Sequence, residues 1–445
     1  MFKLVLNKPE NDNYTAVVVR LKAVVDLPKR DLIVGTPLLG CLQAIVSKGA
    51  KVGDIGIVFP PETQLDPEYL RENNLYRHGE LNKAPESKGY FEDNGRVKAM
   101  KFAGNRSDCL FMSLDSLAYT GADLSALKEG DIFDVLEGHH LCKKYVKKVK
   151  VPGSGAIKAP KFKRVNPQFF PPHIDTDNYF RNSHLIGPNE IVYVTQKVHG
   201  TSIRISHSRV ARKLTLRERI VSRLGVNVVD TEFANIYGSR TQVKDANNPN
   251  QIDWYDRDLW SQEGKKLDGI VPSEYILYGE LVGYVSPGRP IQPKYTYEIP
   301  DGECRLMVYR IAHVNPQGLV TDLSWPQVLV ACAQWGLTPV VELMRGFHQD
   351  FQNEHWSLTV PGAHAAPSAQ GALGWLDKRF ADLDFTGALP LGPDKKLVDE
   401  GIVIRADNGF RPTLLKAKSP VFLSWETRQL DEEAPDLEAD QDVVP

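Results

Sequence analysis

Lys197 lies between two strand-like runs, Ile191-Val192-Tyr193-Val194-Thr195-Gln196 and Thr201-Ser202-Ile203-Arg204-Ile205, in the turn Lys197-Val198-His199-Gly200. A lysine beside a tight glycine turn is placed to attack a phosphate held by backbone amides. Taken alone, an exposed lysine at a strand end explains the same pattern. Two carboxylates follow at comparable places: Glu280 closes the apolar run Tyr275-Ile276-Leu277-Tyr278-Gly279, and Glu400 precedes Gly401-Ile402-Val403-Ile404. Then comes Leu414-Leu415-Lys416-Ala417-Lys418, where the two-residue period of a strand sets Lys416 and Lys418 on one face. Two adjacent ammonium groups repel unless an anion lies between them, and a nucleotide phosphate is a natural one. Singly, the two acids can be strand-end surface charges and the two lysines a solvated edge. Their joint occurrence favours phosphate chemistry.

These groups need a framework of strands, and the chain is long enough for several domains. Its 445 residues exceed one ordinary core, and 25% charged with 42% hydrophobic residues excludes global disorder. No apolar run reaches the roughly 18 residues of a membrane span, and the stretch Met1–Asn7 is too short for a secretory signal. Five dispersed cysteines without a Cys-x-x-Cys pair argue against a clustered zinc site and for a reduced, cytoplasmic protein. The net charge of −2 conceals an uneven distribution. Residues 431–445 hold seven acids and no base, so the rest of the chain carries +5. Nine bases and no acid occupy Leu141–Arg164, and seven bases face one acid between Arg204 and Arg223. Such blocks suit a phosphate backbone, although a solvated face or linker explains either one alone.

The first 140 or so residues read as a β-rich module. Ala16–Val19, Cys41–Val46, Gly56–Phe59 and Arg96–Phe102 are the expected strands. Gly53-Asp54-Ile55 and Gly130-Asp131-Ile132 repeat one turn device, and Pro67–Asn73 is an expected helix capped by Asp66. Gly79–Gly95 reads as a polar loop, Val151–Gly155 as a linker, 361–374 as an inserted loop and Leu430 onward as a tail.

The ordered set resembles the covalent nucleotidyltransferase superfamily of polynucleotide ligases and messenger-RNA capping enzymes. Their series Lys-x-x-Gly, Ser-Arg, Gly-Glu, aromatic strand, Glu-Gly and Lys-x-Lys corresponds here to Lys197–Gly200, Ser239-Arg240, Gly279-Glu280, Leu306–Tyr309, Glu400-Gly401 and Lys416–Lys418. Lys197–Ser202, Gly89–Val97 and Pro172-His173-Ile174-Asp175-Thr176 look most like ATP-dependent RNA ligases carrying an OB-like module ahead of the catalytic domain. The resemblance implies an α+β fold: an OB-like β-barrel over 1–150, a basic linker over 151–164, a nucleotidyltransferase domain of antiparallel sheets and flanking helices over 165–429, and an acidic tail over 430–445.

It further implies that Lys197 forms lysyl-AMP with ATP, that AMP passes to a 5′-phosphate, and that a 3′-hydroxyl then displaces AMP. Gly200, Arg240, Glu280, Tyr309, Glu400, Lys416 and Lys418 would bind the nucleotide. Lys416 and Lys418 would also stabilise the transferring phosphate. Glu400 and Glu280 would anchor Mg²⁺ or Mn²⁺. Here the aromatic strand ends Tyr309-Arg310 where many relatives have Phe-Asp, so adenine stacking by Tyr309 competes with Val308 or a core role. The implied partners are RNA ends, including nicked duplex RNA or an RNA/DNA hybrid, handled by a monomer away from membranes. A DNA ligase, a capping guanylyltransferase or an inactive RNA-binding relative are the alternatives on the same core.

Overall fold

The computed structural model describes residues 4, 6–9, 11–27, 30–40, 42–102, 104–146, 164–244, 255, 257–351, 389–394 and 397–431. The expected linker Val151–Gly155, the stretch 361–374, most of the first lysine block and the acidic segment beyond Asp431 lie outside the described residues. Among the described residues no helix is long and apolar enough to cross a membrane.

In the leading region, Ile132–Phe133, Ala16–Arg20, Ile55–Phe59 and Leu110–Ser113 form a four-stranded antiparallel sheet in that order. Val25–Asp26, Ile33–Leu38 and Leu42–Ser47 form a three-stranded one. Val17, Val19 and Val58 share one apolar cluster with Val34, Leu42 and Val46, while Val18, Ile57 and Phe59 face a second cluster with Phe133. Burial on both faces explains why Ala16–Val19 is continuously apolar instead of alternating. The pairings among the described residues leave these as separate sheets and do not close a barrel.

The repeated turn device holds in both places. Asp54 and Asp131 each accept the backbone N–H three residues back, from Lys51 at 2.8 Å and Lys128 at 2.7 Å. Gly53 and Gly130 supply φ of +99° and +96°, which a side chain would resist. The helix spans Pro67–Glu72, with the Asp66 carboxylate accepting the Glu68 N–H at 2.9 Å. The expected strand Arg96–Phe102 is reduced to Met100–Phe102, paired with Asn105–Ser107. Arg96 instead turns inward to a bidentate pair with Glu62 at 2.7 Å.

Two mainly antiparallel sheets dominate the region from Asp177 to Lys418. One orders Asp177–Asn178, Thr413–Lys418, Gly401–Ala406, Ile191–Lys197 and Glu342–Phe347. The other orders Val243–Lys244, Thr231–Gly238, Thr201–Ala211, Tyr275–Ser286, Cys304–Val314 and Val320–Asp322. Alternation is strict in the first: Val192, Val194, Ile402, Ile404, Leu415 and Ala417 form a buried cluster on one face, leaving the other for polar groups. The largest core packs Ile203, Leu277, Leu281, Val308 and Ile311 of the second sheet against Trp325 and Val328. Those two residues lie on the helix Trp325–Trp335, which is opened by a Ser324/Gln327 capping box and closed by Gly336 at φ +66°. The fold is thus α+β and sheet-rich.

The helix Pro420–Asp431 joins the two regions. Leu423 packs against the apolar cluster of the leading region. Thr427 donates to Glu62 at 3.0 Å, and Asp431 pairs with Arg96 at 2.9 Å.

Candidate active site

The chain leaves the first sheet at Lys197 and enters the second at Thr201, so the Lys-Val-His-Gly turn is the corner between them. Register brings the cationic groups together. Lys197 stands opposite Gly401, which stands opposite Lys418; one step along the same face, Thr195, Val403 and Lys416 form the next row. Lys197 and the pair Lys416 and Lys418, more than 200 residues further on, therefore line one cleft. Gly401 permits this closeness, because a Cβ there would stand 2.1 Å from the Ala417 carbonyl oxygen.

Glu400, 1% exposed, sits at the centre. Its Oε1 accepts from Lys197 Nζ at 2.5 Å and lies 3.5 Å from Lys418 Nζ. Lys418 also reaches Glu426 at 3.0 Å. Glu400 Oε2 is buried with no hydrogen-bond partner, the nearest cationic candidate being His199 Nδ1 at 3.8 Å. Beside it Asp399 accepts from Gln196 at 2.9 Å, yet burial, reinforced by the neighbouring Glu400, pushes its carboxyl up to about 7.

The opposite wall comes from the second sheet. Glu280 lies across from Ser202 in register and accepts its hydroxyl at 3.1 Å. A Cβ on Gly200 would meet the Leu281 carbonyl oxygen at 2.2 Å, so the turn rests directly on the strand that carries Glu280. Arg240 lines the cleft and pairs with Asp175, which joins the Ser239-Arg240 and Pro172–Thr176 segments. Tyr309 also lines it, for a reason not visible in the sequence. Tyr278 pairs with Arg310 and Gly279 with Val308, so Tyr309 is the extra residue of a β-bulge, and bulges re-aim side chains. Its hydroxyl shares a hydrogen bond with His173 Nδ1 at 2.6 Å. Burial, with the guanidiniums of Arg204, Arg240 and Arg310 nearby, holds His173 well below its ordinary value and therefore neutral. The structure thus brings Lys197, Gly200, Arg240, Glu280, Tyr309, Glu400, Lys416 and Lys418 to one place.

Several participants had no local signal. Arg405, 2% exposed, lines the cleft opposite Tyr193 and is held by Asp407 at 2.6 Å. Trp325 adds an apolar patch. The His199 ring is packed edge-on by Tyr295, Phe422 and Trp425, with centroids 5.1, 5.1 and 5.8 Å away. The second basic block is also less available than its charge suggests. Arg204 is buried and donates to the Ser239, Phe170 and Thr241 carbonyls at 2.9 Å, Arg209 pairs with Glu274, and Arg212 with Glu218. Its exposed remainder is Lys213 and the arginines of the helix Leu216–Arg223.

Three lysines, two of them against the buried Glu400, share with Arg240 and Arg405 a cleft between two mainly antiparallel sheets, a setting suited to anionic groups such as phosphates. The family model for RNA ligase matches residues 190–418, more than half of the chain, and the chain belongs to the RNA ligase family. No curated protein matches the sequence. Among solved structures, the chain is similar to RNA ligase of Naegleria gruberi. One mutant of that protein with ATP and Mn shares 15% identity, covering 92% of this chain and 98% of the other, with a TM-score of 0.54. A second mutant with ATP and Mn gives 14%, 93%, 98% and 0.53 on the same measures, and one with AMP and Mn gives 14%, 92%, 98% and 0.53. At this identity the likeness establishes a shared fold over nearly the whole chain.

Proposed function

We propose that the chain is an ATP-dependent RNA ligase that joins a 3′-hydroxyl to a 5′-phosphate through lysyl-AMP. The observation that carries this reading is the row Lys197–Gly401–Lys418, with Glu400 between the two ammonium groups and Lys416 one step along the same face. Lys197 Nζ loses its proton and attacks the α-phosphorus of ATP; the new P–N bond forms as the bond to pyrophosphate breaks. Lys416 and Lys418 stabilise the negative charge on the phosphate in flight, an effect worth on the order of 10²-fold or more per donor. AMP then passes to the RNA 5′-phosphate, which Arg240 at the cleft rim is placed to hold. Attack by the 3′-hydroxyl on the activated phosphate releases AMP. Glu280 and Tyr309 line the same cleft, where Glu280 would bind the ribose or share the metal and Tyr309 would offer an aromatic wall to the base.

The residues suit a divalent cation of the Mg²⁺ or Mn²⁺ type. Among the described residues no three His, Cys, Asp or Glu side chains converge as a cage. Such ions at phosphoryl-transfer sites take one or two carboxylates and complete their shell with phosphates and water. Glu400, with its unpartnered buried Oε2, is the anchor, and Glu280 is the second carboxylate across the cleft. A cation held there would supply charge neutralisation at the α-phosphate.

The leading region, residues 1–150, reads as an OB-like module that holds RNA backbone ahead of the adenylation domain at 165–429. Support comes from its two antiparallel sheets sharing one apolar cluster and from the bases that follow it. Incubation with labelled ATP and metal, followed by a denaturing gel, tests the central claim. The wild-type chain takes up covalent AMP and Lys197→Ala takes up none. Label retained by the mutant refutes the assignment, and label from GTP instead of ATP redirects it to capping chemistry.

A further inference from the structure

The segment Gln292–Ile299 contains three non-glycine residues in the left-handed region: Lys294 at φ +72°, Tyr297 at +52° and Glu298 at +53°. Such conformations persist only where the surroundings over-determine them, and they concentrate where geometry matters for function. This loop does not line the ligand cleft. It reaches the cleft's two decisive corners from behind. The Gln292 side-chain amide donates to the Gly200 carbonyl at 2.7 Å, and the Tyr297 hydroxyl accepts the His199 N–H at 2.6 Å. The Val198–His199 and Gly200–Thr201 peptide groups of the turn are thereby fixed to one loop. Tyr295 packs edge-on against the His199 ring at 5.1 Å and donates its hydroxyl to the Val398 carbonyl at 2.8 Å, two residues before Glu400.

We infer that Gln292, Tyr295 and Tyr297 form a clamp that fixes the Lys197–Gly200 turn against the Asp399–Gly401 corner, making them positioning residues for lysine adenylylation. The reasoning is geometric and rests on the ligase reading above. Lys197 ends one strand and Glu400 immediately precedes the neighbouring one, so both lie where sheet pairing gives way to turn. Past those ends, the separation of the two groups depends on what holds the turns, and this loop is bonded to both. A displacement of about 1 Å at an attacking group can cost on the order of 10²-fold in rate.

The clamp acts on the step in which Lys197 is the nucleophile. It should matter far less to the last step, in which a 3′-hydroxyl attacks an RNA end that already carries AMP. Tyr297→Phe keeps the ring and removes the acceptor of the His199 N–H. Three measurements on the full chain are compared with wild type: single-turnover lysyl-AMP formation across ATP concentrations, sealing of a nicked duplex whose 5′ end is supplied already adenylylated, and thermal melting. The expected result is a fall of about tenfold or more in adenylylation at saturating ATP. Half-saturation by ATP and sealing of the pre-adenylylated end should stay within about twofold of wild type, because only transition-state geometry is lost.

Gln292→Leu makes the same test at the other end of the clamp and carries it if Tyr297→Phe melts below the assay temperature. Wild-type adenylylation in both variants overturns the inference. So does a parallel fall in adenylylation and sealing, the mark of a loop that merely supports the fold. Failure of the wild-type chain itself to take up AMP overturns the ligase reading and this inference with it, so the two failures are distinguishable.

Discussion

Replacing Gly200 by alanine tests how rigidly the nucleophile turn is seated. The added methyl would lie 2.2 Å from the Leu281 carbonyl oxygen and 2.9 Å from both Glu280 Cγ and Val282 Cγ1. A carbon and a carbonyl oxygen come to rest at about 3.3 Å or more, so relief requires roughly 1 Å of movement. The strand cannot supply it: Leu281 is fully buried and paired on both sides, with Thr201 and with Leu306. The turn must move instead, carrying Lys197 away from Glu400. Overpacking of this kind costs about 1–3 kcal/mol of stability, while 1 Å at the attacking atom costs on the order of 10²-fold in rate. Single-turnover formation of lysyl-AMP at saturating ATP, set beside a thermal melt, separates the two effects. The expected outcome is a folded protein with a slightly lowered melting temperature and severely slowed adenylylation. A folded variant that adenylates within about threefold of wild type would refute the argument, because it would mean that the turn tolerates the shift without displacing the lysine.

Lys418→Ala removes the cation 3.5 Å from Glu400 and should lower adenylylation by about 10²-fold or more; near wild-type rates would show that the charge is not aimed at the phosphate. Asp399 should make stability depend on pH. Its carboxyl ionises near 3.8 when unfolded and about 7 in the fold, so between these values the native state keeps a proton that the unfolded state has lost, and stability falls as pH rises. The slope is about 1.4 kcal/mol per pH unit, and urea midpoints of wild type and Asp399→Asn at pH 5 and 7 should diverge; parallel midpoints would contradict it. Glu62→Ala strips the buried Arg96 of its bidentate partner, leaving Asp431, and should cost about 3 kcal/mol in urea unfolding, whereas an unchanged midpoint would show the pair to be dispensable.

Where the sequence was informative, it was so because the signal is local. Lys416-Ala417-Lys418 could be assigned to one face from strand periodicity, and Ala417 and Leu415 are indeed on the buried side. The Gly-Asp-Ile turns and the Asp66 cap likewise rest on bonds within three residues. What stayed hidden depends on partners far along the chain. Arg204 read as a base for phosphate and proved to be a buried brace for three carbonyls, which only the neighbouring strand and segment could reveal. Tyr309 owes its place to a bulge that no pattern in Leu306–Arg310 announces. The loop Gln292–Ile299 shows one proline and two tyrosines but nothing to connect it with His199. In the leading module apolar runs mark Ala16–Arg20, Leu42–Ser47 and Ile55–Phe59 but not Ile33–Leu38 or Leu110–Ser113, and how its sheets meet is set by pairings that such runs do not specify.

The last described helix has a consequence for how the protein comes into being. Phe422 and Trp425 pack on His199, Glu426 holds Lys418, and Leu423, Thr427 and Asp431 dock into the leading region. Domains emerge from the ribosome amino terminus first. The leading sheets and the nucleophile strand are therefore synthesised long before the two lysines and the helix that complete them. A nascent or prematurely terminated chain ending ahead of Lys416 would own the attacking amine but neither the cations that stabilise transfer nor the aromatic packing of the turn. On the ligase reading, chemical competence would arise only after Lys416, Lys418 and this helix had been synthesised.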